Sequence, residues 1–496
     1  MSQDGLARTL AALKSDWNVA RHDANGWPQF LESVQVSGIR GWTGQQVEFR
    51  FPVVAVCGEN GSGKSTVLKA AATVYRSSGK GSGTQTVNPD DFFPSTPWET
   101  VSGASIEYTV RRGSSVTTEK LRKPTKRWRG MTDRFQRDVY FLDISRTQPI
   151  DTLIGYGRAV RDSINSNGQS SALSSASVSV LSRVMSRAYT DASFKKEAGK
   201  AVGILGTEDR TYSNYHQGAG EDATFDLMEI LEQARRNSLI IIDEVEASLH
   251  PRAQRRLVTE LIDIARKSRV QFILSTHSAY VLEQLPAEAR VLIQNTRDGG
   301  KRVVYGVSPE YALSSMDDEQ HAELTVFCED DSARMMVDTL LRRERPGDAG
   351  RIRIIPVGPA NTVREMGKLA AGDLLPFPAI AVCDADQSSS AGCVLLPGKD
   401  SPEEELFGSF QDENWTALAE RLGVQAGPLM DAADDAMLLP DHHTWVKRIA
   451  ERLGSTIRPS RVWESAVDVW VRDVVSDDER SRFADEVLAS LVPISG

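Results

Sequence analysis

The sequence predicts an α/β protein built on parallel sheets, and three observations carry that reading. A continuously apolar run, "VVAVC", feeds directly into the glycine-rich loop "GENGSGKST". Apolar runs of strand length then alternate with segments of helical spacing, which is the grammar of a parallel sheet. The same alternation restarts at Leu324, and after about Asp400 the chain turns acidic and helical in pattern.

The elements follow in order. From Phe30 to Val56 the chain alternates polar and apolar residues and then becomes wholly apolar, which reads as two half-buried strands feeding a buried one. Ser105 to Asp143 alternates again, in "SIEYTVRRGSSVTTEKLRKP" and "DVYFLDISR", and predicts an antiparallel sheet beside the loop. Ser163 to Ser182 is rich in Ser, Asn and Gly and reads as a mobile insertion within residues 160–200. Helical spacing from Thr224 to Arg236 leads into "SLIIIDEVEASLHP", a further helix and the strand-like "VQFILSTHS". The second unit runs "LTVFCEDD", a helix over Ser332–Arg343, "RIRIIPVG", a helix ending near Ala371, and "AIAVCDAD". The expected domains are 1–319, 320–412 and a helical region 413–496.

With 496 residues the chain exceeds one ordinary core. A net charge of -10 means that the molecule as a whole does not attract nucleic acid, so any DNA contact needs a local basic surface. The candidate is Glu119–Arg137, "EKLRKPTKRWRGMTDRFQR", where Trp128 and Phe135 sit among cations. Four scattered cysteines with no CxxC pair read as reduced thiols in a cytoplasmic protein. No uncharged apolar run approaches membrane-spanning length, so no membrane partner is expected.

In the loop, Gly58, Gly61 and Gly63 let the backbone curl so that the N–H groups around Asn60 and Thr66 point at phosphate oxygens. Lys64 then reaches the β- and γ-phosphates of a nucleotide such as ATP, and Ser65 ligates Mg²⁺. The strand "LIIIDE" supplies the remaining carboxylates, with Asp243 for the magnesium and Glu244 to orient or deprotonate water.

Two further pieces narrow the class: His277 ends the next strand in "STHS", and "HQGAGEDA" precedes the acidic strand. Residues 30–318 resemble an ABC-type ATPase head of the SMC, RecF and OLD kind. The resemblance implies a signature motif at Gly218, Ala219, Gly220 and Glu221, a D-loop at "EASLHP", His277 as switch histidine, and a dimer of heads that sandwiches two ATP molecules. Gly218 stands where the family carries a serine, and Gln148 is the candidate Q-loop residue.

In the second unit, Glu329 ends one strand, and Asp384 and Asp386 follow another in a DxD pattern. Three acids at one edge of a parallel sheet suit one or two Mg²⁺ ions. The layout resembles a TOPRIM domain, and its fusion to an ABC-type head resembles the OLD family of ATPase-nucleases. That resemblance implies metal-dependent DNA cleavage with Mg²⁺ or Mn²⁺ at Glu329, Asp384 and Asp386, under ATP control, in defence against phage. The chain departs from the family at Asp330, where a glycine is usual, and at Ala333, where a second acid is usual. Lys399, Glu403 and Glu404 are candidate late ligands, or else a solvated loop and helix start. Asp441, His442 and His443 invite a metal reading, against a simpler role in capping a helix.

The resemblances leave two functions open. One is an ATP-regulated nuclease; the other is a nucleotide-switched scaffold, similar to the ATPase subunit of Septu-type systems, whose separate partner subunit cuts. A RecF-like repair protein would explain the head and leave Asp384 and Asp386 idle.

Overall fold

The computed structural model describes residues 3–23, 25–77, 86–98, 100–143, 170–197, 200–213, 219–296, 299–317, 322–375, 377–454 and 457–491. The chain divides between Asp318 and Glu319 into two compact units.

In the first unit, β1 (Gln29–Ile39), β2 (Trp42–Glu48), β4 (Ala104–Arg112) and β5 (Ser115–Lys123) form an antiparallel sheet in the order β2-β1-β4-β5. The central sheet has the order β14-β13-β3-β12-β11-β6. Its strands are β3 (Val53–Cys57), β6 (Val139–Leu142), β11 (Leu239–Ile242), β12 (Gln271–Thr276), β13 (Arg290–Asn295) and β14 (Lys301–Tyr305). All pair in parallel except β14. Every residue of β3, β11 and β12 is buried, as the continuous apolar runs require of strands covered on both faces. Each fully buried Val or Ile there contributes about 1.5–3 kcal/mol.

Two expectations are corrected. "VYFL" does not join the antiparallel sheet: β6 lies parallel to β11, with Leu239 opposite Val139. The serine-rich stretch is not a loop where it is described. Ser170–Ala172 forms β7, and Ser175–Met185 forms a helix capped by Ser174, whose side chain accepts from Ser177 N. That helix buries Val178, Leu181 and Val184, so apolar spacing at i, i+3 and i+6 outweighs the serine content. β7, β8 (Asp191–Glu197), β9 (Lys200–Gly206) and β10 (Thr211–Ser213) form an antiparallel sheet of order β10-β9-β8-β7. Residues 161–169, Gln148 and Gly218 lie outside the described residues.

The second unit carries a wholly parallel sheet of order β16-β15-β17-β18. Its strands are β15 (Leu324–Cys328), β16 (Ile352–Pro356), β17 (Ala379–Cys383) and β18 (Cys393–Leu395). One face packs Phe327, Ala381 and Cys383 against Val363. The other shares a core with the C-terminal helices, including Trp415, Leu429, Trp463 and Phe483. The helices after 413 therefore complete this sheet's core instead of forming a third body. Among the described residues no helix is long and apolar enough to cross a membrane.

Candidate functional site

The loop after β3 leads into the helix Lys64–Ala72, whose N-cap is Gly63 at φ 103°. A Cβ at Gly63 would sit 2.5 Å from Trp42 Nε1, and one at Gly58 (φ 145°) would sit 2.2 Å from the Ile293 carbonyl oxygen. Both positions exclude a side chain, because the loop backbone packs directly on Trp42 and Ile293. Asn60 and Gly61 are exposed, and Thr66 is buried in the first turn of the helix.

Lys64 is buried, and its Nζ donates to the carbonyls of Gly58 (2.8 Å) and Glu59 (2.9 Å). Burial pushes its pKa down, opposed by Asp243, Glu244 and Glu246. A desolvated cation in a ring of carbonyls attracts an anion more strongly than one in water.

Parallel pairing places the ends of β3, β11 and β12 side by side. Ser65 Oγ thereby reaches Asp243 Oδ1 at 3.3 Å, and Ser275 Oγ donates to the same oxygen. A hydroxyl and a carboxylate meeting at the helix start form a donor set that fits Mg²⁺. Ser62 Oγ is buried with no hydrogen-bond partner among the described residues, a polar atom directed into the loop with nothing to hold.

Glu244 has φ 51°, a left-handed conformation that a non-glycine residue adopts at some cost, and its N–H donates to Ser275 Oγ at 2.8 Å. His277 N donates to Glu246 Oε1 at 2.6 Å. Burial first, and then Lys64, lower the His277 pKa against the pull of Asp243, which keeps the ring neutral near pH 7. Ser275 and Glu246 escaped the sequence reading. Their signal was position alone: Ser275 lies two residues before His277, and Glu246 two after Glu244.

Ala219 and Gly220 open the helix Ala219–Gln233. Glu221, in its first turn, accepts from the hydroxyls of Tyr189 and Tyr212 (2.7 Å for Tyr212), with Arg187 at 3.5 Å. The start of this helix is thus tied to β10 and to the segment before β8.

The basic stretch 119–137 spends much of its charge internally. Lys123 is buried against Asp90 (2.6 Å), and Trp128 Nε1 donates to the same carboxylate. Arg134 donates to the carbonyls of Thr73 (2.9 Å) and Val87 (2.8 Å), and Arg137 to Gln271 Oε1 (2.8 Å). Arg122, Lys126, Arg127 and Arg129 remain exposed.

In the second unit, Glu329 follows β15, and Asp384 and Asp386 follow β17, the parallel neighbour of β15. Ala360 N–H supports the Glu329 carboxylate at the start of the helix Ala360–Ala371, yet burial, Asp330 and Asp386 together raise its pKa. Asp384 is pushed up to about 7, by burial first and then by Glu329, Asp330, Asp386 and Glu403. Its Oδ1 is buried without a hydrogen-bond partner among the described residues. A buried acid oxygen without a donor can take a cation, but Glu329, Asp384 and Asp386 do not bring three ligand atoms within 4.8 Å of one another. Asp386 is exposed and accepts from Gln387 Nε2 at 2.9 Å.

The other candidates separate. Asp330 caps the helix Asp331–Glu344 by accepting from Ala333 N at 2.8 Å, Asp331 pairs with Arg334, and Ala333 is wholly buried. Lys399 is exposed, and Glu404 accepts from Ser401 Oγ at 2.7 Å. Glu403 turns inward and is buried, with His443 Nδ1 3.6 Å from its Oε1. The four cysteines are free, and burial pushes Cys57, Cys328 and Cys383 up to about 12, which leaves these three inert as thiols.

Residues 207–283 match the family model described as "AAA domain, putative AbiEii toxin, Type IV TA system", a span that includes Asp243, Glu244 and His277. Comparison with curated proteins finds no match. Among solved structures, the chain is similar to the SMC head domain from Thermotoga maritima, at 16% identity and TM-score 0.34 over 55% of this chain and 98% of that one. It is also similar to the SmcHead bound to the C-winged helix domain of ScpA, at 18% identity and TM-score 0.39 over 57% of this chain and 99% of that one. A third is the Smc head domain with an extended coiled coil bound to the C-terminal domain of ScpA, derived from Pyrococcus furiosus, at 14% identity and TM-score 0.37 over 58% of this chain and 98% of that one.

Proposed function

We propose that the first unit binds and hydrolyses ATP, and that nucleotide state controls phosphodiester cleavage by the second. The observation that supports the ATPase most is the meeting of Ser65, Asp243 and Ser275 on one side of the buried Lys64. The loop N–H groups and the start of the helix Lys64–Ala72 bind the phosphates, and Lys64 exchanges its two carbonyl partners for phosphate oxygens. Mg²⁺, held by Ser65 and Asp243, supplies charge neutralisation on those oxygens. Glu244 orients the attacking water and takes its proton. Neutral His277 donates to the γ-phosphate.

In the resembling heads a second copy completes the site through its signature helix, the role we assign to Gly218, Ala219 and Gly220, with homodimerisation as the consequence. The tether on Glu221 keeps that helix start in place.

For the second unit, the bare carboxylate of Asp384 supports a metal-dependent nuclease. Glu329, Asp384 and Asp386 would hold Mg²⁺ or Mn²⁺, which would supply Lewis-acid stabilisation of a phosphodiester. DNA is the substrate class, and the exposed cations Arg122, Lys126, Arg127 and Arg129 give the first unit a surface for its backbone. Defence against phage is the biology that the OLD resemblance suggests, and the toxin named in the matching family model is compatible with it.

The test is incubation of the purified protein with supercoiled and linear DNA in Mg²⁺ or Mn²⁺, with and without ATP, beside Asp384→Ala and Lys64→Ala. Cleavage lost in Asp384→Ala is expected. A second reading, a scaffold whose separate partner subunit cuts, is favoured by Ala333, which places an apolar core residue where the family carries an acid. Equal inertness of wild type and Asp384→Ala would select it.

A further inference from the structure

Glu403 is the second residue of the helix Pro402–Ser409 and is 4% exposed. Its neighbours Leu406 and Phe407 are buried in the same core, so its carboxylate is fixed at the end of an apolar wall. Two imidazoles meet it from another part of the chain. Asp441 accepts from His443 N (3.2 Å), and Thr444 Oγ1 donates to the Asp441 carbonyl (2.6 Å), closing a tight turn over His442–Thr444. Trp445 Nε1 anchors the turn to the Leu439 carbonyl at 2.9 Å. The turn presents both rings together, with centroids 4.2 Å apart. One ligand atom from each of Glu403, His442 and His443 lies within 4.8 Å of the other two, and His443 Nδ1 is 3.6 Å from Glu403 Oε1.

We propose that Glu403, His442 and His443 form a metal site of their own, selective for a divalent transition ion of the zinc or manganese class over magnesium. Two imidazole nitrogens and one carboxylate oxygen suit such ions, whereas magnesium demands oxygen ligands and keeps its waters. The spacing agrees: a tetrahedral ion with bonds near 2.1 Å sets its ligand atoms about 3.4 Å apart, close to the observed Glu403–His443 pair. A plain ion pair would use one histidine. The second ring on the same carboxylate, and the capped turn that holds both, are what a ligand set requires. A carboxylate removed from water also needs a compensating cation, because unpaired burial costs several kcal/mol.

The site's existence does not depend on the nuclease reading.

The experiment is equilibrium dialysis of the metal-stripped full-length chain against Zn²⁺ or Mn²⁺ in excess Mg²⁺, with bound metal measured by elemental analysis. Wild type and Asp384→Ala are each expected to retain this equivalent. The variant combining His442→Ala and His443→Ala is expected to lose it, with affinity down about 100-fold or more, since loss of even an outer partner costs 10–100-fold. Zn²⁺ should also raise the melting temperature of wild type and leave the double variant unmoved. If the metal-free double variant melts below wild type, His443→Gln alone replaces it. Unchanged stoichiometry and affinity in the histidine variants, or loss of this equivalent in Asp384→Ala alone, would overturn the site. Cleavage is not the readout, so an inert nuclease leaves the result interpretable.

Discussion

The two parallel sheets end in acids of opposite circumstance. Where β3, β11 and β12 finish, Asp243 meets two hydroxyl donors and shares its surroundings with a buried lysine. Where β15 and β17 finish, Asp384 feels the charges of Glu329, Asp330, Asp386 and Glu403, and one of its oxygens has no donor among the described residues. Asp243 takes both hydroxyls on one carboxylate oxygen. With its carboxyl pushed up to about 7, Asp384 gives up its proton only near neutral pH when no cation is present. The first edge supplies its acid with donors, and the second leaves an acid oxygen without one among the described residues.

Removing the anion-binding charge should have the largest effect. Lys64→Ala deletes the loop's cation together with the donor to the Gly58 and Glu59 carbonyls, so ATP turnover should fall about 10²–10³-fold, the usual loss for one preorganised electrostatic group. Steady-state phosphate release checks this. Turnover within tenfold of wild type would break the contrast, because the first edge would then not depend on its cation.

Cations that serve the fold behave differently. Arg134→Ala strips donors from the buried carbonyls of Thr73 and Val87 and should cost about 2–3 kcal/mol, at 1 kcal/mol or more per orphaned group. Chemical denaturation reads it. Arg127→Ala, at an exposed position, should leave stability unchanged and weaken only DNA binding. If Arg134→Ala instead behaves like Arg127→Ala, the stretch is a binding surface throughout.

That division marks the limit of what the sequence shows. The loop, "LIIIDE" and "STHS" were legible because each couples a buried strand to residues at its end, and strand burial follows directly from continuous apolar text. Arg134 and Arg137 look like Arg127 in the text, since nothing local says which guanidinium meets a carbonyl from residues 47 to 134 positions away. Glu403 and the two histidines lie about forty residues apart, and only tertiary packing joins them. The placement of β6 was missed for a similar reason: "VYFL" is short, and its partner β11 comes roughly a hundred residues later.

The second edge gives a prediction of inverted sign. In the metal-free chain, the folded state holds the Asp384 proton up to about pH 7, whereas the unfolded chain releases it near 3.8. Stability therefore falls as pH rises between those values, because the native state binds more protons there. Asp384→Asn removes this penalty and should stabilise the metal-free protein above pH 7 by about 1–2 kcal/mol, or about 3–6 °C, with no gain near pH 4. Magnesium should reverse the order, stabilising wild type and not the variant. A destabilised Asp384→Asn at pH 8 without metal would mean that the carboxylate has donors after all.

The same chemical change at a well-supplied acid should act the other way, and more weakly. Glu221 accepts from two phenols and an arginine at the start of the helix Ala219–Gln233, and those tyrosines have raised pKa values because they are buried beside it. Both phenols donate to Glu221 Oε1, so Glu221→Gln keeps the accepting oxygen but removes the charge that strengthens both bonds, and stability should drop by about 1 kcal/mol. In a unit of this size that is a shift of about 2 °C. If the helix start also completes the partner's nucleotide site, ATP-dependent dimerisation should weaken in this variant while monomer ATP binding holds. Opposite signs for Glu221→Gln and Asp384→Asn, measured in one metal-free buffer at pH 8, would establish that donor supply, and not burial alone, separates the two edges. Equal signs would return both acids to a common description as buried charges.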